Sequence, residues 1–310
     1  MKQNDKIFIT GANGMLGRAI AAELRSRGFQ LLLTPTRKEL DLEEEEAVHR
    51  YVETNRPDYV FHLASVVYGL KGNLNNQLQS LISNTKIYCN VLTAFSESIL
   101  PKKIFFAGTV ASYAYPFKQM PLTESNVFDG LPHGGEFGYA MAKRHAYPYL
   151  ELLKQKWNVP YVYGLFTNLY GEYDTFDVEN GHVVPSLIYK AVAAIEAKES
   201  NFQVWGNPLS TRDFLYIRDA ASAAVECMSC GNGIINICSG ASIAMKELAE
   251  TISAALDSQT SPAWDASEPV GIQSRAISAE RLNALGFKPQ FDIKQGIANS
   301  VRWYKENRSS

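Results

Sequence analysis

This 310-residue sequence predicts an α/β fold, a doubly wound parallel sheet joined to a smaller C-terminal α+β lobe. Three observations predict it. Short β-rich runs alternate with helical stretches through the first half of the chain. A glycine-rich turn joins the first strand to the first helix. The alternation breaks after about Gly171, where glycine, asparagine and aromatic residues become frequent. Strands separated by helices imply right-handed crossovers and therefore a parallel sheet.

The elements follow in order. Residues 6–10 are a β-rich run ending at Gly11. Over residues 16–27, Leu16, Ile20 and Leu24 recur at four-residue spacing, and Gly28 stands where a helix stops. Leu31, Leu32 and Leu33 read as a second strand. The acidic run Glu43–Glu46 opens a helix that continues to Asn55, its charges matched to the positive end of the helix dipole. Pro57 introduces a third strand at residues 59–63, and a long helix is read over 74–98. Residues 103–107 are a fourth strand, 139–157 a helix interrupted by Pro148, and 159–165 a fifth strand. Beyond lie helices at 185–197 and 245–256. The chain divides on this reading into a cofactor-binding domain at 1–170 and a lobe at 171–310 that mainly binds substrate.

Composition narrows the function. Hydrophobic residues at 46% and charged residues at 20% are ordinary for a globular protein. A formal net charge of -2 gives no electrostatic footing for nucleic acid or a membrane surface. No apolar run approaches the ~20 residues of a membrane helix. The N-terminus enters a strand with no secretory signal, so a cytoplasmic location is expected. The four cysteines are too few for a disulfide framework. Cys227 and Cys230 have C-x-x-C spacing, but without a second pair or clustered histidines they read as small residues near a helix end, and no metal site is expected.

Two motifs carry chemistry. Gly11, Gly14 and Gly17 form G-x-x-G-x-x-G between a strand and a helix. The first suits a tight turn, the second a close backbone approach to a pyrophosphate, and the third close packing of helix on strand, as in a Rossmann-type dinucleotide site. An NAD-specific site ends its second strand in an acid that holds the ribose 2′-hydroxyl. Residues 34–38 contain no acid and two cations, Arg37 and Lys38, which favours NADP(H). The second motif is Tyr139 and Lys143, Y-x-x-x-K on one helical face. An ammonium there is expected to depress the phenol's pKa and to hold the nicotinamide ribose. At the end of strand four, Thr109, or next Ser112, is expected to orient a substrate carbonyl; a turn hydroxyl bonding local backbone is the competing reading.

With these residues in view, the chain resembles the extended short-chain dehydrogenase/reductases (the NAD-dependent epimerase/dehydratase family). Within them it is most similar to GDP-L-fucose synthases, epimerase/reductases of GDP-4-keto-6-deoxymannose. The resemblance rests on Gly138 through Arg144, on Asn168 to Gly171 with Asp174 and Phe176, and on Asn180 to Pro185. Val204 to Gly206 and Arg212 to Tyr216 extend it. It implies cofactor contacts at Gly11, Asn13, Gly14, Met15, Gly17, Arg37, Asp41, Leu42, Leu63, Ala64 and Lys143. It implies His182 as the acid in epimerisation beside catalytic Thr109, Tyr139 and Lys143, and substrate contacts at Ser112, Asn168, Lys190, Trp205 and Arg212. Two cations facing a diphosphate make physical sense as charge-assisted donors. A homodimer through the helices at 74–98 and 139–157 is implied by the family alone.

The departures are specific. Asn13 stands where the family commonly has an arginine. Thr109 replaces its serine, and Ala111 occupies the place of the cysteine that serves as the carbon base. The loop to Pro116 is two residues longer, so Ser112 or Tyr113 could fill the same space. The expected activity is NADPH-dependent reduction at C4 of a nucleotide-linked 4-keto sugar, GDP-linked by preference, with epimerisation open. The rivals are a nucleotide-sugar 4-epimerase holding NAD tightly and an inert dinucleotide sensor on the same fold.

Overall fold

The computed structural model describes residues 1–310 except 69–71, 73–74, 96–98, 179–180, 258, 266–271 and 309–310. The expected helix over 74–98 has both ends among those exceptions, as does Asn180; they lie outside the described residues.

The first half alternates β1 (Ile7–Thr10), α1 (Met15–Ser26), β2 (Leu32–Leu33), α2 (Glu45–Asn55), β3 (Tyr59–His62), α3 (Gln77–Thr93), β4 (Lys103–Thr109), α4 (Phe137–Trp157) and β5 (Tyr161–Phe166). There follow β6 (Asn168–Tyr170), α5 (Val183–Glu196), β7 (Asn201–Trp205), β8 (Thr211–Tyr216), α6 (Ile217–Cys230) and β9 (Gly233–Ile237). The chain ends with β10 (Ser242–Ala244), α7 (Met245–Ala255), β11 (Ser261–Asp265), β12 (Ser274–Arg275), α8 (Glu280–Ala284) and α9 (Ile293–Asn307). Pro148 sits within α4, and the helix runs through it.

Six strands form one parallel sheet in the order β2-β1-β3-β4-β5-β9. The period of two is visible in the packing. Ile7, Ile9, Phe61 and Phe105 face a core shared with α1 and α6, while Phe8, Val60, Ile104 and Phe106 face the core under α2, α3 and α4. Burial on both faces explains why these strands read as continuous apolar runs. The sixth strand, β9, comes from well beyond residue 170, carried back to the sheet by α6, so both halves of the chain build the dinucleotide-binding layer.

The smaller lobe is organised on β8. It pairs antiparallel with β10, and parallel with β12 at Thr211 and Arg212 and with β6 at Phe214 to Tyr216. A separate parallel pair joins β7 to β11. Among the described residues no helix is long and apolar enough to cross a membrane.

Candidate active site

The site begins where β1 turns into α1. Gly11 has φ +70°, and a Cβ on it would fall 2.8 Å from the Ala64 nitrogen. A Cβ on Gly17 would lie 2.2 Å from the Gly11 carbonyl oxygen and 2.6 Å from Ala12 Cα, so helix and turn are in direct contact. Gly14 is the N-cap of α1 and supplies no side-chain bond to the first-turn amides, whose N–H groups face outward. That arrangement is a receptor for an anion.

A cleft of about 260 Å³ opens from this turn. Of the expected cofactor residues, Gly11, Asn13, Gly14, Arg37, Asp41, Leu42 and Ala64 line it, while Met15, Gly17 and Leu63 are not part of its wall. Leu63 and Ala64 donate their backbone N–H groups to Thr10 Oγ1 at 3.1 and 3.2 Å, which ties the end of β3 to β1. Thr10, Ser65, Val66 and Ile87 also line the cleft, and no motif had singled them out.

Arg37 stands at the rim with its side chain 74% exposed, and its guanidinium reaches Asp41 at 3.5 Å and Glu43 at 3.3 Å. Glu39, the acid next after β2, is turned onto the backbone instead, accepting from the Thr36 N–H at 2.7 Å. The two acids on the cleft wall are thus the counterions of Arg37.

Tyr139 and Lys143 stand on α4, outside the cleft wall, with Tyr139 beside the wall residue Ser65. The Lys143 Nζ donates to the Ala107 carbonyl of β4 at 2.7 Å and is boxed by the rings of Tyr88, Phe106 and Tyr139 at 4.9, 5.1 and 5.6 Å. Burial lowers its pKa to about 7. The expected depression of the Tyr139 phenol by this ammonium is not found. Burial pushes the phenol above its ordinary range, the Ser65 hydroxyl pulls it the other way, and Glu136 adds to the rise. The physical reason is desolvation: enclosure penalises the phenolate by more than the Ser65 hydroxyl offsets. Tyr139 therefore waits as a neutral phenol, the form that can give a proton.

Ser65 links this pair to the fold: its hydroxyl meets Tyr88 Oη at 2.6 Å and donates to Asn84 Oδ1 at 2.9 Å. Beneath, His62 is fully buried against Thr10 Oγ1 at 2.6 Å, and burial together with nearby Lys143 lowers its pKa to about 3. It is a neutral core histidine.

Thr109 ends β4 and caps a short 3₁₀ turn over Val110–Ser112, its Oγ1 accepting from the Ala111 N–H at 3.2 Å. The local-backbone role weighed against it is real, but accepting leaves the hydroxyl proton free to donate. The residues after it turn inward. Ala111 is buried. Ser112 is completely buried, its hydroxyl set against the buried Tyr163 phenol and its carbonyl accepting from Arg144 Nε at 2.7 Å. Tyr113 is buried and donates to Asn236 Oδ1 at 2.7 Å. Among the cysteines, Cys227 is buried within α6 with its pKa pushed up to about 12, and Cys238 is buried near Tyr113, in the same core cluster.

The smaller lobe presents several groupings. Lys190 on α5 lies over the Trp205 ring at 3.6 Å. Asn168 donates to the Asp213 carbonyl at 2.8 Å, joining β6 to β8. Arg212 is tied to backbone carbonyls of Thr211, Ile272 and Gln273. Burial and neighbouring Arg275 lower its pKa to about 10, with Glu136 opposing. Arg275 is buried and pairs with Glu136 at 2.8 Å, immediately before α4. Residues 136 and 275 are far apart in sequence, and nothing local marks the pair. His182, at the start of α5, lies 3.7 Å from the Asp174 carboxylate.

Comparison with known proteins agrees with this geometry. The profile of the NAD dependent epimerase/dehydratase family matches residues 7–238. GDP-L-fucose synthase 1 of Arabidopsis thaliana is 30% identical over 306 residues, covering 97% of this chain and 94% of its own. A GDP-L-fucose synthetase of Naegleria fowleri, solved bound to NADP, superposes with a TM-score of 0.90 at 27% identity, over 100% of this chain and 95% of its own. A GDP-mannoheptose C4 reductase of Campylobacter jejuni, with NADP bound, gives 0.88 at 26% identity, over 98% and 99%.

Proposed function

The chain belongs to the NAD dependent epimerase/dehydratase family, and on that premise we propose that it reduces C4 of a GDP-linked 4-keto sugar with NADPH and does not epimerise C3 or C5. One observation carries the reading. The segment after β4 offers a donor hydroxyl at Thr109 and then turns Ala111, Ser112 and Tyr113 into the core, so no side chain there can take a proton from carbon.

The residues present fit the cofactor. The uncapped first turn of α1 suits a pyrophosphate, and Gly14 leaves room for it, since a Cβ there would touch only the Gly11 carbonyl oxygen at 3.4 Å. Arg37 at the rim suits a 2′-phosphate, which would compete with Asp41 and Glu43 for its guanidinium. When bound, NADPH supplies the hydride that C4 accepts.

The chain's own residues do the rest. Thr109 donates to the keto oxygen and fixes its direction. Tyr139, neutral because buried, transfers its proton to that oxygen as negative charge develops on it. Lys143, held by the Ala107 carbonyl, stands beside the resulting phenolate and stabilises it. Proton return from solvent restores the phenol. Lys190, Trp205 and Arg212 hold the nucleotide end of the substrate. Residues 1–170 serve chiefly the cofactor and 171–310 chiefly the substrate, with β9 shared. A homodimer is supported by Leu78 and Ile82 on α3 and Leu152 on α4, large apolar side chains that are all exposed.

The test is incubation with NADPH and GDP-4-keto-6-deoxymannose in heavy water, with cofactor oxidation followed optically and the product by NMR. Oxidation with no deuterium at C3 or C5, abolished in Tyr139→Phe, is expected. Deuterium at either carbon would show that a base exists and overturn the reductase-only reading. Unchanged turnover in Tyr139→Phe would remove the assigned proton donor.

A further inference from the structure

His182 has no epimerisation to assist if the site lacks a carbon base, yet it is held in a defined place. It is the N-cap residue of α5, half exposed, and its side chain makes no capping bond to the helix. An imidazolium at a helix N-terminus is opposed by the helix dipole, and burial opposes it further. A histidine so placed would titrate below its ordinary value of about 6.5 unless something compensates.

Asp174 compensates. Its carboxylate side chain is 5% exposed and lies with Oδ1 3.7 Å from His182 Nδ1. Oδ1 also accepts from the Thr175 N–H at 2.8 Å, whereas the buried Oδ2 has no hydrogen-bond partner among the described residues. A buried carboxylate with an unsatisfied oxygen is costly on its own, and a cation beside it offsets that cost.

Other described charged and aromatic groups around this corner have contacts of their own. From α1, Arg18 lies over the Tyr173 ring at 5.0 Å. Glu172 is paired with Arg218 of α6 at 2.7 Å. From α9, Trp303 and Tyr304 stack on Phe176 at 5.8 and 4.7 Å. On α5 itself, Lys190 lies two turns on, over Trp205. Asp177 belongs to the same loop as Asp174. The balance at His182 favours protonation, with the Asp174 carboxylate the largest influence.

We propose that Asp174 is a positioning residue that holds His182 as an imidazolium at the start of α5, where it acts as a charged hydrogen-bond donor to substrate oxygen. The substrate part rests on the reductase reading above; the pairing does not. The contact of Arg18 with Tyr173 ties this loop to the first turns of α1. The sequence signal was present, since Asp174 and His182 both lie in the block that resembles the fucose synthases, but spacing alone does not say that the two side chains meet.

The experiment is a histidine titration by long-range ¹H–¹⁵N NMR on the full chain, between about pH 5 and pH 9. His182 among the five histidines is assigned by its loss in His182→Gln. A His182 midpoint above about 6.5 in the wild type, falling below it in Asp174→Asn while the other four histidines keep their positions, is expected. A wild-type midpoint at or below that value overturns the proposal, as does a midpoint unmoved in Asp174→Asn. Should that variant fail to fold, Asp174→Glu is expected to keep the raised midpoint, and a fall there overturns the proposal too. None of these readouts involves a sugar, so failure of the reductase assay leaves them interpretable. In turnover, Asp174→Asn is expected to raise KM by about tenfold and move the alkaline limb of kcat/KM to lower pH, with kcat changed less.

Discussion

Replacing Lys143 by methionine is expected to stabilise the protein at neutral pH while abolishing turnover. Lys143 is 2% exposed, its one hydrogen bond among the described residues is to the Ala107 carbonyl, and burial brings its pKa from 10.5 down to about 7. The sign follows from proton binding. Between about pH 7 and 10.5 the unfolded chain holds a proton at this position that the folded chain has shed, so stability rises with pH through that window and the destabilising contribution is complete below it. A difference of about 3.5 pH units, at about 1.4 kcal/mol each, bounds the cost near 5 kcal/mol. Methionine forfeits the carbonyl bond and the attraction of three rings, together about 1–2 kcal/mol, and keeps most of the packing. The net expectation is a variant more stable by about 3 kcal/mol at pH 7. Urea denaturation of both proteins at several pH values measures the gap, and other titrating groups cancel in the difference. The gap should close by about 1.4 kcal/mol for each pH unit above 7. A gap that stays constant between about pH 7 and pH 9, or a variant less stable at pH 7, would refute the argument that burial dominates at this lysine.

Two further outcomes follow from particular contacts. Arg37→Ala should weaken NADPH binding by roughly tenfold and leave NADH binding nearly unchanged, measured by fluorescence titration, because only the 2′-phosphate calls on that guanidinium; an equal loss for both cofactors would refute the assignment. Glu136→Ala should destabilise the chain by about 3 kcal/mol in urea, since it strands the buried Arg275 without its carboxylate, and Glu136→Gln should cost less; a neutral alanine variant would show that the pair contributes nothing net.

Much of the site was legible because the information is local. Gly11, Gly14 and Gly17 declare a turn whose tolerances are set within seven residues, and the measured approaches explain each spacing. Tyr139 and Lys143 share a helical face by periodicity alone. The charge states were not legible, because a pKa is fixed by what surrounds a group in space. The sequence pattern led to an expectation that Lys143 would lower Tyr139, whereas enclosure by Tyr88, Phe106 and β4 makes the lysine itself the more perturbed group.

The alternation of strands and helices, the uncapped glycine turn and the absence of a cysteine at Ala111 were determined by the sequence itself, since each depends on residue identity and short-range geometry. The return of β9 to the sheet, the inward turn of Ser112 and Tyr113, and the pairings of Glu136 with Arg275 and Asp174 with His182 were decided only by the tertiary structure. The reason is physical: periodicity reports which face of an element is apolar, but which distant groups meet depends on how several such faces pack at once.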